Sequence, residues 1–120
     1  MRKLHLDNGM TVLIDEFPTN ATGMAIAIRA GSMYETEEIR GISHLLEHMM
    51  FRSNYKYTHK ELVNAIELSG AEFNAYTSRD KTVYYVEVLP EGFERVLDVF
   101  SSMFYNESYL EDEFSKEKKV

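Results

Sequence analysis

The 120-residue sequence contains no cysteine, and this absence excludes two kinds of site. No disulfide framework can form, and no thiolate can bind zinc, so any metal must be held by histidine and carboxylate side chains. A chain without cysteine suits the cytoplasm, although the absence does not by itself fix the compartment. We therefore expect a cytoplasmic location.

Basic residues are outnumbered, and long apolar runs are missing. Lysine and arginine total 13 against 20 aspartates and glutamates, which gives a net charge of −7 at pH 7. This balance argues against a nucleic-acid-binding surface. The one basic cluster, over residues 116–119, contains Glu117 and is typical of a solvated helix face. No stretch approaches the roughly 18 apolar residues of a membrane span, and no signal peptide is visible. We expect neither nucleic acid nor a membrane as a partner.

The rest of the composition is that of an ordinary globular domain. Hydrophobic residues make up 44% of the chain and charged residues 28%, so the chain can bury one core. We predict a single domain over residues 1–120. Alternating patterns predict five strands, over residues 3–7, 10–16, 24–28, 71–77 and 81–89. Asn8-Gly9 predicts a two-residue turn between the first two strands, since both residues accept a positive φ.

Helical spacing predicts four helices in the remaining segments. The predicted starts are Gly41, the capping box Thr58–Glu61, Pro90 and a second capping box at Ser108–Glu111. Strands and helices are thus grouped in the order β-β-β-α-α-β-β-α-α. This grouping predicts an α+β fold, with a mostly antiparallel sheet and the helices packed on it.

The first predicted helix, over residues 41–51, carries the chemistry. At about 100° per residue, it places five apolar side chains on one face: Ile42, Leu45, Leu46, Met49 and Met50. His44, Glu47 and His48 share the opposite face, where two imidazoles one turn apart can bind one metal ion. Glu47 lies where a zinc hydrolase needs a base, because zinc lowers the pKa of a water and a carboxylate can then take its proton.

The alternative is a polar stripe that faces solvent and binds nothing. Two observations weigh against it. Half of the four histidines lie on this one turn, and their arrangement is the zinc-binding pattern H-x-x-E-H. A catalytic zinc takes three protein ligands and keeps one open position, so His44 and His48 need a third ligand from elsewhere. His5 and His59 are expected to be non-ligands.

With its flanking residues, this motif resembles the inverzincin site of the pitrilysin/insulysin family, which includes the mitochondrial processing peptidases and their bacterial relatives. Further segments resemble the family, in order, along nearly the whole chain: Leu6–Val12, Ala30–Ser32, Ser69–Ser78 and the helix after Pro90. The likeness is strongest to the processing-peptidase branch. The resemblance implies that His44 and His48 bind one zinc ion and that Glu47 is the general base.

The resemblance also implies roles for residues outside this first predicted helix. Glu117 corresponds to an important family glutamate and is expected to belong to the catalytic site, where it orients ligands; the alternative is an exposed member of a charged run. The family's third ligand lies two turns further on, just past Val120. Asn74 and Ala75 correspond to the edge strand on which the family lays its substrate, although they could also belong to an ordinary sheet strand.

Two departures from the family limit what the chain is expected to do. Arg52-Ser53-Asn54 stands where relatives usually have Lys-Gly-Thr. Family enzymes are also several times longer, and they enclose peptides between a catalytic half and a second, similar half. We therefore expect an N-terminal catalytic-domain fragment, truncated in its last helix, inactive alone and partnered by a second homologous half or subunit.

The expected function is that of a zinc-dependent endopeptidase domain acting on extended peptides or unfolded proteins, with Glu47 as its base. The alternative is a non-catalytic peptide-binding module, or an inactive fragment or subunit of such a peptidase. An intact metal motif favours the enzyme, and the missing third ligand favours the module.

Overall fold

The computed structural model describes residues 1–119 and shows the predicted order of strands and helices. The strands are β1 (Arg2–His5), β2 (Thr11–Ile14), β3 (Thr22–Ile28), β4 (Glu72–Thr77) and β5 (Thr82–Val88). The helices are α1 (Ile42–Met49), α2 (His59–Leu68), α3 (Phe93–Phe104) and α4 (Glu111–Lys118). Short 3₁₀ segments occupy Ser32–Tyr34, Glu37–Ile39 and Pro90–Gly92. The predicted α+β class is confirmed.

The strands form two separate antiparallel units. Strands β1 and β2 make a hairpin, and the other three make a sheet in the order β3-β5-β4. Strand β5 is therefore paired on both sides, with Tyr84 opposite Ile26 of β3 and Ala75 of β4. The predicted pairing of the last two strands is confirmed. In the described part of the chain, β4 lies at an edge of its sheet.

The core lies between one face of this sheet and helices α2 and α3. Its buried members are Met50, Leu62, Ile66, Tyr84, Val86, Val88, Val96, Val99, Phe100 and Met103. Phe73 of β4 contacts Phe51 and Phe100, with ring centroids 4.8 and 5.1 Å apart. Because Phe51 lies two residues after the end of α1, these rings anchor the end of that helix to the core.

The hairpin turn differs from the predicted two-residue turn. The Gly9 N–H donates to the Leu6 carbonyl at 2.9 Å, and the Leu6 N–H donates to the Met10 carbonyl at 2.9 Å. The loop therefore consists of Asp7, Asn8 and Gly9, and only Gly9, at φ +86°, uses the left-handed region. This is the three-residue hairpin in which a left-handed glycine follows the turn.

One of the two predicted capping boxes is present. At the start of α2, the Glu61 N–H donates to the Thr58 hydroxyl at 3.2 Å, and the Thr58 N–H donates to the Glu61 carboxylate at 2.8 Å. The box predicted at Ser108 is wrong, because α4 begins one residue after Leu110, whose side chain cannot accept a hydrogen bond. Acidic residues in the first turn of α4 instead interact favourably with the positive N-terminal end of the helix dipole. Between residues 1 and 119, no helix has both the length and the apolar character needed to cross a membrane.

Candidate metal centre

Helix α1 is held at its first turn by a carboxylate from outside the helix. The Glu35 side chain accepts hydrogen bonds from the N–H groups of Gly41, at 2.7 Å, and Ser43, at 3.0 Å. These backbone donors lower the pKa of Glu35 below its ordinary value. Gly41 itself adopts φ +88° and has no side chain to cap the helix. Sequence patterns missed this cap because Glu35 lies six residues before Gly41, outside the range of local capping motifs.

We expect Glu35→Ala to lower the melting temperature at pH 7 by a few degrees, because two N–H groups at the start of α1 lose their acceptor. Since folding lowers the pKa of Glu35, its contribution is present above the ordinary value of 4.5 and is lost as pH falls through the lower folded value. Thermal unfolding of both proteins between pH 7 and pH 3 measures the difference. Glu38→Ala, in the same acidic connection, is the control. A difference that persists unchanged at pH 3 would contradict the assignment.

The predicted apolar face of α1 is buried only towards its C-terminal end. Met49 and Met50 are buried, whereas Ile42 and Leu46 remain 48% and 46% exposed. The helix is therefore anchored by its last turn and by the Glu35 cap.

The structure brings His44, Glu47 and His48 together on the other side of α1. Their ligand atoms all lie within 4.8 Å of one another, and the two imidazole centroids are 4.5 Å apart. His44 is exposed, and the other two side chains are partly buried. Two nitrogens and a carboxylate at this spacing are a donor set that suits zinc. Among residues 1–119, no other group of three histidine, aspartate or glutamate side chains is this close.

The other two histidines make different contacts. The His59 Nδ1 lies 2.7 Å from the Phe51 carbonyl, and the His5 Nδ1 lies 3.2 Å from the Thr11 hydroxyl. His59 does line a cavity of about 260 Å³ that also borders Glu47 and His48. It is therefore near the candidate metal centre without belonging to the group of three.

Glu117 of α4 lies against His48, and its side chain is only 7% exposed. One carboxylate oxygen, Oε2, is 3.0 Å from the His48 Nδ1. The other, Oε1, accepts from the Arg52 Nε at 2.7 Å and also from the Arg52 Nη2. The Arg52 guanidinium, and secondarily His48, hold the pKa of Glu117 below its usual range, against the opposing effect of burial. The alternative of an exposed glutamate in a charged run is wrong, although the neighbouring Lys116 and Lys118 are exposed.

Glu47 contacts the end of β4. The Thr77 hydroxyl donates a hydrogen bond to the Glu47 carboxylate. The Thr82 hydroxyl, on the paired strand, donates to the Ala30 carbonyl at 2.8 Å and lies 3.5 Å from the Thr77 oxygen. Thr77 was missed as a site residue in the sequence. The available signal was the alternation of β4, which puts Thr77 on the same face as Phe73, a partly buried residue packed against the core.

The outer edge of β4 carries a backbone donor near the end of the strand that contacts Glu47. The Ala75 N–H donates to the side-chain oxygen of Asn74 at 2.8 Å, so it points away from the ladder with β5. Asn74 is exposed, and Ala75 is partly buried. Strand β4 therefore offers an outward-facing backbone donor two residues before Thr77.

The sequence model of a protein family, insulinase (peptidase family M16), matches residues 10–120. The chain belongs to peptidase family M16. The resemblance to the pitrilysin/insulysin family is thereby confirmed. The M16 chain is 36% identical over 121 residues to the uncharacterized zinc protease YmxG of Bacillus subtilis, covering 100% of this chain and 30% of that protein. It is 35% identical over 115 residues to the mitochondrial-processing peptidase subunit beta of Rattus norvegicus. This match covers 96% of the present chain and 24% of that protein.

A solved structure shares the fold of this M16 chain. The crystal structure of a protease from Helicobacter pylori superposes with a TM-score of 0.93 at 28% identity, covering 99% of this chain and 29% of that one. The M16 chain thus spans less than a third of the length of these relatives.

Proposed function

We propose that this chain carries the metal-binding and proton-transferring part of a zinc endopeptidase that cleaves extended peptides. The observation that carries the proposal is the group of His44, Glu47 and His48 on α1, placed beside the edge strand β4. Membership in a peptidase family and relatives named as zinc proteases support it.

In this proposal, His44 and His48 hold one zinc ion. The third ligand, expected two turns after Glu117, lies outside the described residues. A bound zinc ion would supply Lewis acidity and lower the pKa of a water. Glu47 takes a proton from the attacking water and passes it to the leaving amine. The hydrogen bond from Thr77 orients the Glu47 carboxylate.

Glu117 is proposed to orient His48. Its carboxylate is buried and paired with Arg52, and it reaches the imidazole nitrogen that faces α4. Partners of this kind fix the ring orientation of a metal-binding histidine. Glu117 would therefore act on the metal through His48.

Asn74 and Ala75 are proposed to bind substrate. An extended peptide that adds to the outer edge of β4 would hydrogen-bond to the Ala75 N–H in place of the Asn74 side chain. Since a strand rises about 3.4 Å per residue, Ala75 lies about 7 Å along β4 from the residue that contacts Glu47. A peptide on this edge would thus run past the base. Main-chain pairing gives affinity without demanding one sequence, which suits unfolded substrates.

The length of the relatives supports a further part of the proposal. This chain would be the N-terminal catalytic fragment of a longer peptidase, and a second homologous half or subunit would close the cavity. One matched relative is by name a subunit, the mitochondrial-processing peptidase subunit beta. The second candidate function is a peptide-binding module without catalysis, favoured by the fact that residues 1–119 supply two histidines but no third ligand besides Glu47.

Metal titration of the protein expressed from its complete gene tests the proposal. We expect one tightly bound zinc ion, hydrolysis of an unstructured peptide, loss of hydrolysis on chelation, and recovery with zinc. His48→Ala should lose both zinc and activity, whereas His5→Ala, in the hairpin, should keep both. Peptide binding without cleavage by zinc-loaded protein would favour the module, and hydrolysis that survives complete removal of metal would overturn the proposal.

A further inference from the structure

We propose that Arg52 is a positioning residue that sets the orientation and the tautomer of His48 through Glu117, so that His48 presents Nε2 to the metal. This inference rests on the proposed zinc function and adds a residue to it. Arg52 lies just after α1, three residues past Met49, and it reaches α4 across a sequence separation of 65 residues.

The carboxylate of Glu117 is divided between its two partners. Arg52 directs two N–H groups, from Nε and Nη2, at the single oxygen Oε1. The other oxygen, Oε2, is left to face His48 Nδ1 at 3.0 Å. Since both ends of the carboxylate are occupied, it cannot rotate without breaking a hydrogen bond. Arg52 thereby determines the direction from which a carboxylate oxygen meets the imidazole.

This arrangement selects one tautomer of His48. An ionised carboxylate only accepts hydrogen bonds, so Nδ1 must carry the ring proton and donate a hydrogen bond to Glu117. The lone pair of the neutral ring is then on Nε2, which is the nitrogen available to a metal ion. Without Arg52, the Glu117 carboxylate would be free to turn away, and the hydrogen bond that selects this tautomer would weaken.

A second contact holds the backbone next to Arg52 against α4. The next residue, Ser53, donates from its N–H at 3.0 Å and from its hydroxyl at 2.7 Å to Glu113. Glu113 and Glu117 are one helical turn apart on the same side of α4. The segment after α1 is therefore fixed to two successive turns of α4, and the guanidinium is delivered to Glu117 rather than to solvent.

The guanidinium shape matters as well as its charge. Two parallel N–H groups in a rigid plane hold one oxygen in a defined direction, which a flexible lysine ammonium cannot do. Lysine at this position would balance the charge of the buried Glu117 but would orient it less well. Arg52→Lys is therefore expected to lie between the wild type and a variant without charge.

The test compares zinc affinity, by competition with a chromophoric chelator, in the protein expressed from its complete gene. We expect Arg52→Leu to bind zinc about 10- to 100-fold more weakly than the wild type, as for other partners of metal-binding histidines. Arg52→Lys should show a smaller loss. Lys118→Leu removes the same charge from an exposed position next to Glu117 and should bind zinc like the wild type.

The tautomer of His48 is a second measurement, which would not change if Arg52 only stabilised the fold. In metal-free protein with ¹⁵N-labelled histidine, long-range nitrogen–proton NMR should show His48 protonated at Nδ1 in the wild type. In Arg52→Leu, the signals should shift towards a mixture of both tautomers. Thermal unfolding of the metal-free variants records any general loss of stability separately. If Arg52→Leu does not fold, Arg52→Lys decides, since it retains the buried charge balance.

If Arg52→Leu binds zinc as tightly as the wild type, the inference is overturned. If Arg52→Leu does not fold, wild-type zinc affinity in Arg52→Lys would overturn it. So would an unchanged His48 tautomer in these variants, or an equal affinity loss in Lys118→Leu, which would show an effect of charge alone. If the wild-type protein itself binds no zinc, the proposed function fails instead, so the two failures are distinguishable.

Discussion

Glu47→Gln is expected to reduce peptide turnover by about 10²- to 10⁴-fold while the protein keeps its zinc. Glutamine has nearly the same size as glutamate and can still contact the Thr77 hydroxyl, but it cannot take a proton from water. The two imidazoles are untouched, so metal binding should persist. The measurement is kcat on an unstructured peptide, together with the zinc content of the same preparation.

Under the proposed function Glu47 acts in the chemical step and not in binding, so KM should change little while kcat falls. Glu38→Gln, in the exposed connection before α1, is the matched control and should leave both constants unchanged. Near-normal turnover by Glu47→Gln would refute the assignment of Glu47 as base. Loss of zinc with the loss of turnover would instead indicate that Glu47 is a ligand.

Gly31→Ala is expected to reduce the free energy of unfolding by about 3 kcal/mol, the upper end of the usual cost of overpacking. A Cβ at this position would lie 2.4 Å from the Ser78 carbonyl oxygen and 2.6 Å from that of Arg79. Both are backbone atoms, so no side chain can move aside. The φ angle of Gly31 is −176°, which any residue can adopt, and the cost therefore comes from the close approach alone.

Urea unfolding of the metal-free protein measures this effect. Gly23→Ala is the control, since a Cβ at Gly23 in β3 would meet no atom within 4 Å. It should change stability by less than about 1 kcal/mol. Equal losses in the two variants would show that the substitution acts through backbone freedom and not through contact with the Ser78–Arg79 turn.

Gly31 also links two parts of the candidate site. The turn that it contacts follows Thr77, which donates to Glu47, and the 3₁₀ segment after it leads to Glu35, which caps α1. The Met33 N–H donates to the Arg79 carbonyl at 2.9 Å and fixes the same approach. Gly31 thus helps to set the distance between Thr77, which contacts Glu47, and Glu35, which caps α1.

Local patterns predicted the order of elements well because each depends on residues that are close in sequence. The alternation of β5 and the Thr58–Glu61 capping box are properties of a few neighbours, and both are present. The same reasoning failed at Ser108 and at the Asn8-Gly9 turn. In each case the local pattern allowed more than one backbone path: the turn closes as a three-residue loop between Leu6 and Met10, and α4 begins after Leu110.

The sequence by itself determined that His44, Glu47 and His48 meet, because the period of a helix brings residues three and four apart onto one side. Only the tertiary structure decided what surrounds them. Contacts of His48 with Glu117 and of Glu47 with Thr77 span 69 and 30 residues, and no local spacing encodes them. They form because the core seats α1 against β4 and α4. The donor set is thus a local property of one helix, whereas its orientation depends on the packing of the whole chain.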